Sequence, residues 1–172
     1  MASHKETDSG KKKKSNSERA REAKGDTMFK EAIKQHAQGD QAKAEKYYRE
    51  AISIGYLHET IYSNLGVICK NSGRSEEALY LYKKSIERNP NNPSAYLNLG
   101  NLLRELRIFD EALASTLKSI ELKPDNPDAL MNLGSIYKDL GNIDQALAST
   151  LKSLELKPDN PAAHQNLGGI YK

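Results

Sequence analysis

Apolar residues return along most of the chain at the three- and four-residue spacing of a helix face, and the blocks they form return every 34 residues. In the stretch from Pro93, the residues Ala95, Tyr96, Leu99, Leu102, Leu103 and Leu106 mark one helix, opened by a proline suited to a first helical turn. A polar turn follows. Asp110 to Leu122 then reads as a second helix whose apolar stripe is Ala112, Leu113, Leu117 and Ile120, and Pro124-Asp125-Asn126-Pro127 stops it. No run alternates with the two-residue period of a strand, so the pattern predicts an all-α fold.

The repeat is visible in single residues. Asn-Leu-Gly occurs at Asn64 to Gly66, Asn98 to Gly100, Asn132 to Gly134 and Asn166 to Gly168, and Ala44, Ala78, Ala112 and Ala146 keep the same interval, as do Pro93, Pro127 and Pro161. Residues 93–126 and 127–160 are identical at 21 of 34 positions, with the block ALASTLKS unchanged, so one unit was copied. Gly39, Gly73 and Gly141 fall in the turn between the two helices of a repeat, where positive φ is useful; Arg107 departs from them.

These residues resemble the tetratricopeptide repeat, whose 34-residue unit has a Leu-Gly pair in helix A, a small residue and then an aromatic in helix B, and a closing proline. The resemblance implies a right-handed solenoid of antiparallel helix pairs over residues 25–172, with repeats near 25–58, 59–92, 93–126 and 127–160 and a partial one at 161–172. The first repeat has Glu31-Ala32 in place of Leu-Gly and no closing proline, as expected of a divergent terminal repeat. Thr116 and Thr150 stand where Tyr48 and Tyr82 supply the aromatic.

Charge divides the chain in a way its total of +3 hides. Residues 1–24 hold eight Lys/Arg and four Asp/Glu, and the remainder holds 18 basic and 19 acidic residues. The first 24 residues carry no apolar stripe and read as a disordered basic arm, with Ser17 to Lys24 available to extend the first helix. The body lacks the basic excess of a nucleic-acid binder, so nucleic acid is not expected as its partner. No apolar run reaches the length of a membrane span, and one cysteine allows no internal disulfide, so a cytoplasmic setting is the expectation.

Candidates for chemistry have structural alternatives within the repeat frame. Cys69 stands where Leu103, Tyr137 and Tyr171 stand in other repeats, and His164 where Tyr62, Tyr96 and Leu130 stand, so both are expected to pack. His36 falls on a polar helix surface, and His4 and His58 in the arm and a turn. The Lys123–Pro127 and Lys157–Pro161 turns lack the ligand count of a calcium site. No nucleophile, metal or phosphate motif is present, so neither enzyme activity, a cofactor nor a small-molecule substrate is expected.

Helix A supplies the remaining candidates. In stacked repeats of this kind the A helices line the concave surface, so Asn64, Asn98, Asn132 and Asn166 form a column along the groove. An amide donates and accepts, and a spaced row of amides can pair with an extended peptide backbone without reading its side chains. The segments Tyr96-Leu-Asn-Leu-Gly-Asn101 and Arg107-Ile-Phe-Asp110 resemble the superhelix of O-linked N-acetylglucosamine transferase, which implies an asparagine ladder holding peptide backbone here, with Asn101 beside it. A second column, Lys70, Arg104, Lys138 and Lys172, is suited to an acidic partner. Grooves of the family that clamp a C-terminal carboxylate use basic residues where this chain has Phe29, Ile33, Ser94, Asn98, Asp128 and Ala162, so carboxylate clamping is disfavoured. Between the two near-identical repeats helix B hardly changes, whereas helix A differs at Tyr96/Leu130, Leu97/Met131, Asn101/Ser135 and Leu103/Tyr137.

The expected function is therefore a protein-interaction scaffold that binds an extended peptide or protein segment in its groove. The alternative is the substrate-recognition region of a longer transferase, since Tyr171-Lys172 falls inside a helix A whose partner helix does not follow. A basic adaptor for nucleic acid or membrane surfaces rests only on Lys11 to Lys14. Leu167, Ile170 and Tyr171 keep the apolar pattern of an internal repeat, and self-association through that end is expected.

Overall fold

The structure, a computed structural model, describes residues 15–56 and 58–171. Lys11 to Lys14, His4 and Lys172 lie outside the described residues. Those described are helical and turn residues only: α1 (Asn16–Ala37), α2 (Gln41–Ser53), α3 (Glu59–Asn71), α4 (Ser75–Arg88), α5 (Pro93–Glu105), α6 (Phe109–Leu122), α7 (Pro127–Asp139), α8 (Ile143–Leu156) and α9 (Pro161–Ile170). The fold is all-α, a solenoid of antiparallel helix pairs. Among the described residues two compact units are distinguished, one with α1 and α2 and the other with α3 to α9.

In the first unit α1 starts at Asn16, inside the stretch read from sequence as a disordered arm, and Ser17 to Lys24 extend the first helix. The Ser15 side chain accepts from the Glu18 backbone N–H while the Glu18 carboxylate accepts from Ser15 N–H, a reciprocal cap that fixes the start. Residues 15–24 bury nothing, so the absence of an apolar stripe there signalled exposure rather than disorder. Packing begins at Gly25, where Tyr56 lies so close that no Cβ would fit. Phe29 tilts against Tyr48 and Tyr56, with ring centroids 6.3 and 6.0 Å away, and Ala32 is fully buried in the place of the glycine found in later repeats. Burial pushes the Tyr56 phenol up, assisted by Asp26, which accepts its hydroxyl proton at 3.4 Å.

The second unit is built from one rule applied repeatedly. Helix A (α3, α5, α7) pairs with helix B (α4, α6, α8) of its own repeat, and each helix B also packs on the next helix A, ending with α9 on α8. Successive A helices touch each other, α3 on α5, α5 on α7 and α7 on α9, whereas no comparable packing joins α4 to α6 or α6 to α8. The A layer is thus the tighter side of the stack.

Local chemistry sets the joints. Asn92, Asn126 and Asn160 cap α5, α7 and α9 by accepting backbone N–H groups, each with proline as the first helical residue. The A-to-B turns need one residue at positive φ: Gly73 at 76°, Gly141 at 78°, and, without glycine's freedom, Arg107 at 63°.

The core departs from a purely apolar stripe. In α6 the buried residues are Ala112, Thr116 and Ser119, whereas Leu117, assigned to the core by its spacing, is 43% exposed, and Leu106 caps α5 in solvent. The two hydroxyls lie inside because both find partners. Ser119 donates to the Pro93 carbonyl at 2.8 Å, and Ser153 in α8 donates to that of Pro127 at 2.7 Å, each tying helix B to the start of its own helix A. Cys69 is buried as expected. His164 is not: it lies exposed, with Nε2 2.8 Å from the Pro158 carbonyl, because the short turn before α9 offers that oxygen nearby.

Candidate functional site

The Leu-Gly pair of helix A places the site. Helix B crosses its partner at the glycine, and the residue it lays there is Tyr82 on Gly66, Thr116 on Gly100 and Thr150 on Gly134. The tyrosine phenol, fully enclosed, is pushed up by burial and by the nearby Glu105 charge. Gly168 has no such neighbour; no heavy atom lies within 4 Å of where its Cβ would stand.

On α5 the residues turned from this crossing, Ser94, Leu97, Asn98, Asn101 and Arg104, recur at helical spacing and are exposed or half-buried. Corresponding positions on α3 and α7 carry Val67 and Met131, both half-buried. Together they give the A layer an uncharged central strip.

The asparagine row does not behave uniformly. Asn98 is half-buried and its amide makes no hydrogen bond within the chain; Asn101, one turn on, is the same. Asn132 is only 1% exposed, and its Nδ2 donates to Thr116 Oγ1 at 2.9 Å. Asn166, 4% exposed, donates to Thr150 Oγ1 at 2.9 Å, and that hydroxyl passes its own proton to the Ala146 carbonyl at 2.7 Å. The Asn166 Oδ1 is buried without a partner. Asn64 is half-buried. An even ladder of exposed amides is therefore not what the chain presents; helix B draws two of them inward.

The basic column is altered more thoroughly. Lys70 Nζ lies 2.7 Å from Glu105 Oε1 on the next helix A, and Arg104 Nη1 lies 3.0 Å from Asp139 Oδ2 on the one after. Lys138 stays half-buried, its ammonium beside Gly169 of α9. The expected row of cations for an acidic partner is thus neutralised at Lys70 and Arg104 by carboxylates on the neighbouring repeat. Among the described residues, no group of three or more His, Cys, Asp or Glu is placed to hold a metal, and no helix is long and apolar enough to cross a membrane.

Family models described as tetratricopeptide repeat match residues 35–54, 60–92, 81–114 and 127–160, together more than half of the sequence. No curated protein matches it. Similar solved structures include YrrB, described as a TPR protein with an unusual peptide-binding site, at TM-score 0.73 and 22% identity over 84% of this chain and 74% of that one. MamA is similar at TM-score 0.72 and 24% identity, over 81% and 82% of the respective chains. PilF of Pseudomonas aeruginosa gives TM-score 0.77 and 21% identity, over 88% and 69%. At these identities the likeness concerns the fold.

Proposed function

Because the chain belongs to the tetratricopeptide repeat family, we propose that it works as a protein-interaction scaffold whose A-helix face takes an extended peptide segment. The observation that carries this reading is the uncharged strip formed by Val67, Leu97, Asn98, Asn101 and Met131, bordered by Lys70 and Arg104, both paired with carboxylates. Half-buried apolar side chains among unpaired amides suit a backbone that brings its own polar groups and few charges. The peptide-binding site attributed to YrrB, a protein of the same fold, lends the reading further support.

An array of random 12-residue peptides probed with the full chain tests it. The tightest peptide, taken into calorimetric titration, is expected to lose its binding when Leu97→Glu or Met131→Glu puts a carboxylate into the strip, with the circular dichroism spectrum unchanged. A selected peptide indifferent to both variants, or an array with no binder, refutes the reading.

A further inference from the structure

For Asn98, Asn132 and Asn166 the helix-B residue sixteen positions earlier decides how the amide is held. For Asn132 and Asn166 that residue is Thr116 or Thr150, and in both cases the threonine hydroxyl accepts the amide proton. For Asn98 it is Tyr82, whose ring fills the space over Gly66, and the Asn98 amide remains half-buried without a partner. Threonine is small enough for the next asparagine to turn inward, and its oxygen gives the amide a reason to stay. Tyrosine leaves no equivalent acceptor at that place.

Resting on the groove reading above, we infer that Thr116 and Thr150 are specificity determinants of the A-helix face. They withdraw Asn132 and Asn166 from a bound segment and leave Asn98 and Asn101 on α5 to meet its backbone. The occupant is an extended segment with uncharged side chains where it crosses Leu97 and Met131. Residues three apart on a helix have Cβ atoms about 5–6 Å from one another. An extended chain offers successive same-side groups at about 6.6 Å, close enough to that spacing for two amides one turn apart to engage peptide groups two residues apart. Each amide donates and accepts, which fixes the backbone's position without reading its side chains.

The tightest peptide from the array serves as the probe. Asn98→Ala and Asn101→Ala are each expected to weaken it about fivefold to tenfold, the order of one lost hydrogen bond, whereas Asn132→Ala leaves its Kd within about twofold. A second measurement needs neither peptide nor substitution at an asparagine: in the free, unaltered chain, side-chain amide protons of Asn132 and Asn166 should exchange with solvent more slowly than those of Asn98. Thr116→Val keeps the volume and removes the acceptor, and should raise the Asn132 exchange rate toward that of Asn98. Equal weakening by Asn98→Ala and Asn132→Ala, or rapid amide exchange at Asn132 in the unaltered chain, overturns the inference and leaves the groove reading standing. Binding that ignores both Leu97→Glu and Met131→Glu overturns both.

Discussion

Replacing Gly134 with alanine asks how firmly helix B is seated in the repeat. Alanine in a helix interior is favoured over glycine by about 1 kcal/mol, so in open space the substitution stabilises. At Gly134 the new Cβ would collide with Thr150 Oγ1 and lie 3.1 Å from both the Ala146 carbonyl oxygen and Asn166 Nδ2. The threonine cannot simply rotate away, because its hydroxyl is fixed by bonds of 2.7 Å to Ala146 and 2.9 Å from Asn166. Overpacking costs about 1–3 kcal/mol and each disrupted hydrogen bond about 1 kcal/mol, which together outweigh the helical gain and leave Gly134→Ala destabilising by about 1–3 kcal/mol. Gly168 occupies the same repeat position with nothing near it, so Gly168→Ala should stabilise by up to about 1 kcal/mol. Removing the collision partner should remove much of the cost: in a Thr150→Ala background, the penalty of Gly134→Ala should shrink by about 1–2 kcal/mol, the coupling expected of residues in contact. Urea unfolding followed by circular dichroism, on the four chains of this cycle and on Gly168→Ala, supplies the numbers. Equal effects at Gly134 and Gly168, or strict additivity in the cycle, would refute the reasoning.

Arg107 holds φ at 63° where the neighbouring repeats use glycine. The left-handed conformation costs an ordinary residue about 1–2 kcal/mol, and the extra unfolded-chain freedom of glycine returns about 0.4–1 kcal/mol of it, so Arg107→Gly should raise the unfolding midpoint slightly; an unchanged or lower midpoint contradicts this. Ser119→Ala and Ser153→Ala should each cost about 1–2 kcal/mol by removing the bond that each hydroxyl gives to the Pro93 or Pro127 carbonyl, measured in the same unfolding assay. Tyr82 keeps its proton in the fold beyond the pH at which the unfolded chain loses it near 10, so the folded state binds more protons there and stability falls as pH rises above about 10. Tyr82→Phe should flatten that alkaline decline, and an unchanged slope would show that other groups govern it.

The 34-residue period made the helix pairs legible because each turn and cap is written locally, in Asn-Pro before α5, α7 and α9 and in glycine at the A-to-B turns. The inner face was less legible. Leu117 has the spacing of a core residue, yet Thr116 and Ser119 displace it, since a hydroxyl with a partner is accepted inside and hydropathy does not record partners. The asparagine row was legible as a row, but its division depends on side chains sixteen positions away in another helix. The ion pairs did leave a trace: Arg104-Glu105 and Lys138-Asp139 put an acid directly after each base, and one repeat on, that acid meets the previous base at Lys70 and Arg104.

The two buried hydroxyls carried by each of α6 and α8 act at different levels of the array. Ser119 and Ser153 join helices of one repeat, whereas Thr116 and Thr150 join a repeat to its successor. In a nearest-neighbour description of repeat folding the serines belong to the intrinsic stability of a unit and the threonines to the interface that couples units. Weakening the first lowers every unit's own folding equilibrium and preserves a sharp transition. Weakening the second lets adjacent repeats melt independently and broadens it. A single helix, copied almost unchanged, thus sets both how stable the array is and how far along it a local opening spreads.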